Sequence, residues 1–238
     1  MTSLTFDPFE EFQEYLSKIS FKGLVADPDY SAASKRLHKR ILALLVVEHQ
    51  FGREATETPN ELSTAAALYL EEFRSDILSA MMILHLGLYK ATLMSARSAI
   101  ENLFRVIAGL QDIDFRGLKS VFELVDLVKE SPLCKSSAMF KSSLALVIQN
   151  YGEYCEYVHS SGDEYLSLDR KLEDFPRWNK QTGTARADSL LKMAQAAICI
   201  LLVLKPSTLS RLRHDQRDLV LDALSMTMKA SLAQEVEI

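Results

Sequence analysis

Residues 62–110 read LSTAAALYLEEFRSDILSAMMILHLGLYKATLMSARSAIENLFRVIAGL, and the only breakers within them are Gly87 and Gly109. Apolar side chains recur here at three-four spacing, the period of a helix rather than of a strand. Thr58-Pro59-Asn60-Glu61 stands just upstream, with a proline and an acid where the first helical turn accepts them. The stretch therefore predicts two long helices, about 60–85 and 87–110, or one kinked at Gly87.

The same pattern extends in both directions. Asp7-Pro8-Phe9-Glu10 is a helix start, and a second lies at Asp27 to Tyr30. From there Leu37, Ile41, Leu44, Leu45 and Glu48 keep helical spacing until Gly52. Downstream, 112–117 reads as a connector and 118–130 as a short amphipathic helix ended by Ser131-Pro132. A long helix is expected over 134–159. Residues 160–186, which hold the single tryptophan, have no period and read as one long loop, a length more often functional than accidental. Helices over about 187–204 and 207–233 follow, broken at Lys205-Pro206. Glycine and proline, 8 and 6 of 238 residues, stand at about half their average usage, which favours long helices over a sandwich or barrel. The reading is all-α: six to eight helices in one bundle over 27–238, with an N-terminal helical arm over 1–26.

Composition narrows the function classes. A net charge of −5 argues against a nucleic-acid coat, though not against a local basic patch. The N-terminus lacks the basic and apolar regions of a signal peptide. The apolar run 194–204 is about half the ~20 residues a membrane span needs. Cys134, Cys155 and Cys199 form no CxxC pair, so zinc and dithiol chemistry are not expected. The chain is expected in the cytoplasm, away from membranes, with buried thiols. No glycine-rich phosphate loop, HExxH or GxSxG occurs. Glu156-x-x-His159 has the spacing of one half of a di-iron ligand set, but such a site needs two pairs and two further glutamates. No metal and no cofactor is expected.

Two constellations remain. Arg97, Glu101 and Arg105 follow one another at i, i+4 and i+8 beside an apolar stripe, either as a charged outer face or as an inward polar seam, costly unless used. Tyr151, Tyr154 and Tyr157 run down a helix that ends at His159, where the negative end of the helix dipole favours a proton. Two basic clusters are candidate phosphate contacts for RNA: Lys35, Arg36, Lys39 and Arg40, and Arg211 with Arg213 and its neighbours. The apolar seams at 194–204 and 219–232 exceed what one bundle helix needs, which points to a homodimer or another protein partner as well as to ordinary core.

The segment from Gly87-Leu-Tyr89 to Arg97-Ser-Ala-Ile-Glu101, with a later helix ending Tyr157-Val-His159-Ser160, resembles the HEPN-like helical domains of prokaryotic toxin and antiviral defence systems, over residues 87–162. The resemblance implies an up-and-down bundle, frequently a homodimer, and in active members metal-independent RNA cleavage. Active members carry Arg-x4–6-His. The matching positions before His159 are Gly152, Glu153 and Tyr154, so only the histidine is carried over. A catalytic member would need a composite site in which His159 moves the proton and Arg97 or Arg105, beside Glu101, stabilises the anionic transition state. The missing arginine favours a non-catalytic interaction or regulatory subunit; the alternative is a ribonuclease toxin.

Overall fold

The computed structural model describes residues 20–55, 61–118, 120–160, 162 and 176–236. The helix start at Asp7, the start at Thr58 and most of the 160–186 loop lie outside them. Helix accounts for 83% of the described residues, and none is in a strand. Among the described residues eleven helices follow in order: α1 Lys22–Ala26, α2 Pro28–Ala55, α3 Glu61–His85, α4 Tyr89–Leu110, α5 Val121–Glu130, α6 Pro132–Ser136, α7 Ala138–His159, α8 Lys180–Leu204, α9 Ser207–Arg211, α10 His214–Ala223 and α11 Met226–Leu232.

Caps explain the boundaries. Asp27 Oδ1 accepts from the backbone N–H of Asp29 (2.8 Å) and Tyr30 (3.0 Å), opening α2. Ser120, Ser131, Ser137 and Asn179 play the same part for α5, α6, α7 and α8, each satisfying a first-turn N–H that has no partner within its own helix. Gly87 separates α3 from α4 with φ of +78°. A Cβ there would lie 2.4 Å from the Arg177 carbonyl oxygen, so only glycine fits.

Several boundaries differ from expectation, among them the helix expected over 134–159, which is broken at Ser137 into α6 and α7. Helix α2 runs through Gly52 to Ala55. The expected helix 207–233 is three short helices, each with its own end. The loop stops at Asn179 rather than 186, because the Asn179 side chain accepts from Thr182 N–H (2.9 Å) and starts α8 seven residues earlier. Gly183 hides that start from a sequence reading, since glycine is a poor helix former. The Trp178 ring takes the space its missing side chain leaves.

Five long helices close a ring in which α2 packs on α3, α3 on α4, α4 on α7, α7 on α8, and α8 back on α2. Neighbours alternate in direction. Lys90 donates to Ser160 and Arg97 to Cys155 and Tyr151, so α4 and α7 run antiparallel. An odd ring must contain one parallel pair. That pair is α2 with α8, since Arg36 meets Asp188 near one end and Glu54 meets Lys205 near the other.

Helix α8 is long and apolar enough to cross a membrane by length and composition, but 72% of its apolar span is buried inside the fold. Residues 193–203 are all buried. The apolar surplus at 194–204, read as ordinary core or as a seam for a partner, is core, filled by this chain's own helices. Downstream, Val220, Ala223, Leu224 and Leu232 are buried too.

Candidate functional site

Two polar constellations emerge. The first lies between α4 and α7. Arg97 Nη2 pairs with Glu101 Oε1 at 2.8 Å and donates to the Tyr151 hydroxyl at 3.3 Å. Its Nε donates to Cys155 Sγ at 3.2 Å. Tyr151 in turn donates to Glu101 Oε1 at 3.0 Å, closing a small circuit. Burial works against the Arg97 charge, but hydrogen bonds to Tyr151 and Cys155 and the Glu101 carboxylate hold its pKa above the ordinary value. Burial pushes the Tyr151 phenol up to about 12; the Arg97 hydrogen bond opposes this and Glu101 adds to it. The Tyr151 hydroxyl thus keeps its proton at neutral pH, accepting from Arg97 while it donates to Glu101.

Arg105 does not join that circuit. Residues i and i+8 sit about 80° apart around a helix of 3.6 residues per turn, and the Arg105 guanidinium lies 5.2 Å from the Tyr69 ring centroid on α3. The expected Arg97–Glu101–Arg105 ladder is therefore split between two neighbouring helices. His159 is the last residue of α7. It is exposed, and one helical turn, about 5.4 Å, separates it from Cys155. Glu101 meets α7 at Tyr151, eight residues and about 12 Å along the axis from His159.

A second polar cluster flanks α7. Arg186 on α8 pairs with Glu153 at 3.1 Å and covers the Tyr157 ring at 3.9 Å. Tyr154 shares a hydrogen bond with Ser189 at 2.8 Å. The three tyrosines thus have structural partners on two different helices.

The basic residues divide likewise. Arg36 is held by Asp188 at 2.9 Å and Lys39 by Asp222 at 3.5 Å. Arg40 donates to the Arg36 carbonyl at 3.3 Å. Lys35 is exposed beside them. This cluster fastens α2 to α8 and α10.

Arg211 and Arg213 instead line a cleft of about 410 Å³ together with Arg53, His49, Gln50 and Gln216, over Leu45, Val46 and Leu212. No acidic residue is among these lining residues, in a chain of net charge −5. The α2 half of the cleft went unread in the sequence, although His49 and Arg53 stand four apart on one helix face. Beneath it Glu54 is fully buried. Its carboxylate accepts from Gln50 Nε2 (2.9 Å) and Ser207 Oγ (2.6 Å) and lies 3.8 Å from Arg211 Nε. Lys205 Nζ donates to its carbonyl oxygen.

Among the described residues no group of three or more His, Cys, Asp or Glu side chains is arranged to hold a metal ion. Cys134 and Cys199 are buried thiols, and burial pushes Cys199 up to about 12. Compared with family models, with curated proteins and with solved structures, the chain matches none.

Proposed function

We propose that this chain is a non-catalytic, HEPN-like helical protein that acts as an interaction or regulatory subunit, in a prokaryotic defence or toxin system. The observation that carries the reading is the engagement of Arg97. Its Nε donates to Cys155 and its Nη2 to Tyr151 and Glu101, and the exposed His159 lies one turn beyond Cys155. Metal-independent cleavage of RNA needs a proton shuttle and an anion stabiliser on the same phosphate. Here the arginine is spent on holding α4 against α7. Apolar side chains left exposed on the α3–α4 hairpin are compatible with the binding half of the reading: Leu68 and Met82 on α3 and Met94 on α4 are 69%, 54% and 53% exposed.

Expression in a bacterial host, with purified protein incubated on RNA without metal, tests the reading. Wild type and His159→Ala are expected to leave growth unaffected and RNA intact alike. Growth arrest by wild type that His159→Ala abolishes would establish the ribonuclease instead.

A further inference from the structure

We propose that the cavity between α7 and α11 binds a small uncharged aromatic molecule bearing one hydroxyl, its ring against Met139, Leu146 and Met228 and its oxygen on the Ser143 hydroxyl. The cavity measures about 210 Å³, with Met139, Ser142, Ser143 and Leu146 as its α7 wall and Met228 and Ser231 on the α11 side. Ser143 is the polar anchor. It is 2% exposed, and its Oγ has no hydrogen-bond partner among the described residues. A serine inside a helix commonly returns its hydroxyl to the carbonyl four residues back, which here is that of Met139. That oxygen already serves the helical N–H of Ser143 and the Ser142 hydroxyl at 3.0 Å, and a carbonyl has two lone pairs. The polar group that Ser143 does reach is the Cys199 thiol on α8, whose raised pKa it opposes; a thiol is a weak partner and leaves the hydroxyl unsatisfied. A buried hydroxyl without a partner is costly, and a ligand oxygen placed on Ser143 removes that cost.

The rest of the lining selects the occupant. A dry cavity of ~150 Å³ accepts benzene, so this one has room for a single ring with a small substituent. No charged side chain is among the lining residues, so a carboxylate or ammonium would lose its water without gaining a counter-charge. Met139 and Met228 offer sulfur–aromatic contacts, which favour a ring over an aliphatic body. Met139 is buried, while Ser142 and Ser231 are exposed at the mouth, an apolar base under a polar rim. The walls are also held in place before anything binds. Glu235, just past α11, accepts from Ser137 Oγ and from Met139 N–H (2.9 Å), which ties the end of α11 to the start of α7 and leaves little ordering to oppose binding. The inference goes beyond the regulatory reading and does not depend on whether the chain cleaves RNA, because its readout is ligand binding.

Titration of the full chain, isotope-labelled at its methionine methyl groups, with phenol, benzene and benzoate tests it by NMR. Phenol is expected to shift the methyls of Met139 and Met228 and to leave those of Met82 and Met94, exposed on the α3–α4 hairpin, where they are. Benzene should reach the same two methionines about fivefold more weakly, the worth of one hydrogen bond, and benzoate should not bind. Ser143→Ala should bring phenol down to the affinity of benzene and leave benzene itself unchanged, which separates loss of the hydroxyl from loss of the cavity. Ser231→Trp, at the exposed mouth, should abolish binding of both without loss of helical signal. No response of Met139 and Met228 to phenol, equal shifts at all four methionines, or phenol affinity that survives either variant would overturn the proposal. So would benzoate or benzene binding as tightly as phenol.

Discussion

His85, the last residue of α3, packs edge-on to Tyr30 with ring centroids 5.4 Å apart. Its buried Nδ1 has no hydrogen-bond partner. Burial, with the nearby His38 charge adding, lowers its pKa below the ordinary 6.5. The folded state therefore binds this proton less readily than the unfolded chain. Above pH 6.5 both states keep the ring neutral and His85 has no effect on stability. As pH falls below 6.5 the unfolded chain gains the proton first, and stability is lost until the folded pKa is reached. His85→Phe keeps the aromatic contact and removes the titration. Denaturant midpoints at pH 5 and pH 7.5 should differ less in the variant than in wild type, with the variant gaining at the acid end. An equal drop in both would show that other groups carry the acid sensitivity.

The start of α8 depends on a single aromatic wedge. Trp178 sits between Tyr30 and Tyr89, with centroids 5.3 Å and 6.4 Å away, and the Tyr89 hydroxyl accepts from Asn179 N–H at 2.7 Å. A Cβ on Gly183 would meet three atoms of the indole ring at 2.8 Å. Alanine is the better helix former by up to ~1 kcal/mol, so propensity alone favours Gly183→Ala. Overpacking against a ring braced on two sides costs ~1–3 kcal/mol and should win. Chemical denaturation is expected to show a net loss of stability. A variant as stable as wild type would mean that Trp178 can swing aside. No periodicity argument reaches this contact: Gly183 looks like loop until the tryptophan is seen beside it.

For the molecule as a whole, the ring of five long helices changes where a partner would dock. Residues 194–204 are used up inside the fold, and the apolar side chains that remain exposed include Leu68, Met82 and Met94 on the α3–α4 hairpin. If a second copy is the partner of the proposed interaction subunit, it covers this hairpin. Light scattering on the wild type should then give twice the chain mass of 26.8 kDa. Met82→Glu, at an outward position that no core contact needs, should return it to the single-chain mass without loss of helical signal. A single-chain mass for wild type at micromolar concentration would leave the hairpin to a different protein.

Helix content and several helix starts were legible from residue order alone, because caps, breakers and the three-four period act within a few residues of one another. Asp27, Ser131 and Gly87 are examples where a local signal and the observed boundary agree. The circuit of Arg97 and Glu101 was half legible. The i,i+4 pair is local, but Tyr151 and Cys155 as its other members, and Arg105 turning to Tyr69, follow from how α4 lies between α3 and α7. The arginine cleft lay furthest out of reach. Arg53 and Arg211 belong to distant segments that meet because the buried face of α8 draws α2 alongside it in parallel. Such a meeting is set by the packing of apolar faces across the whole bundle, which leaves no short-range trace in the order of the residues.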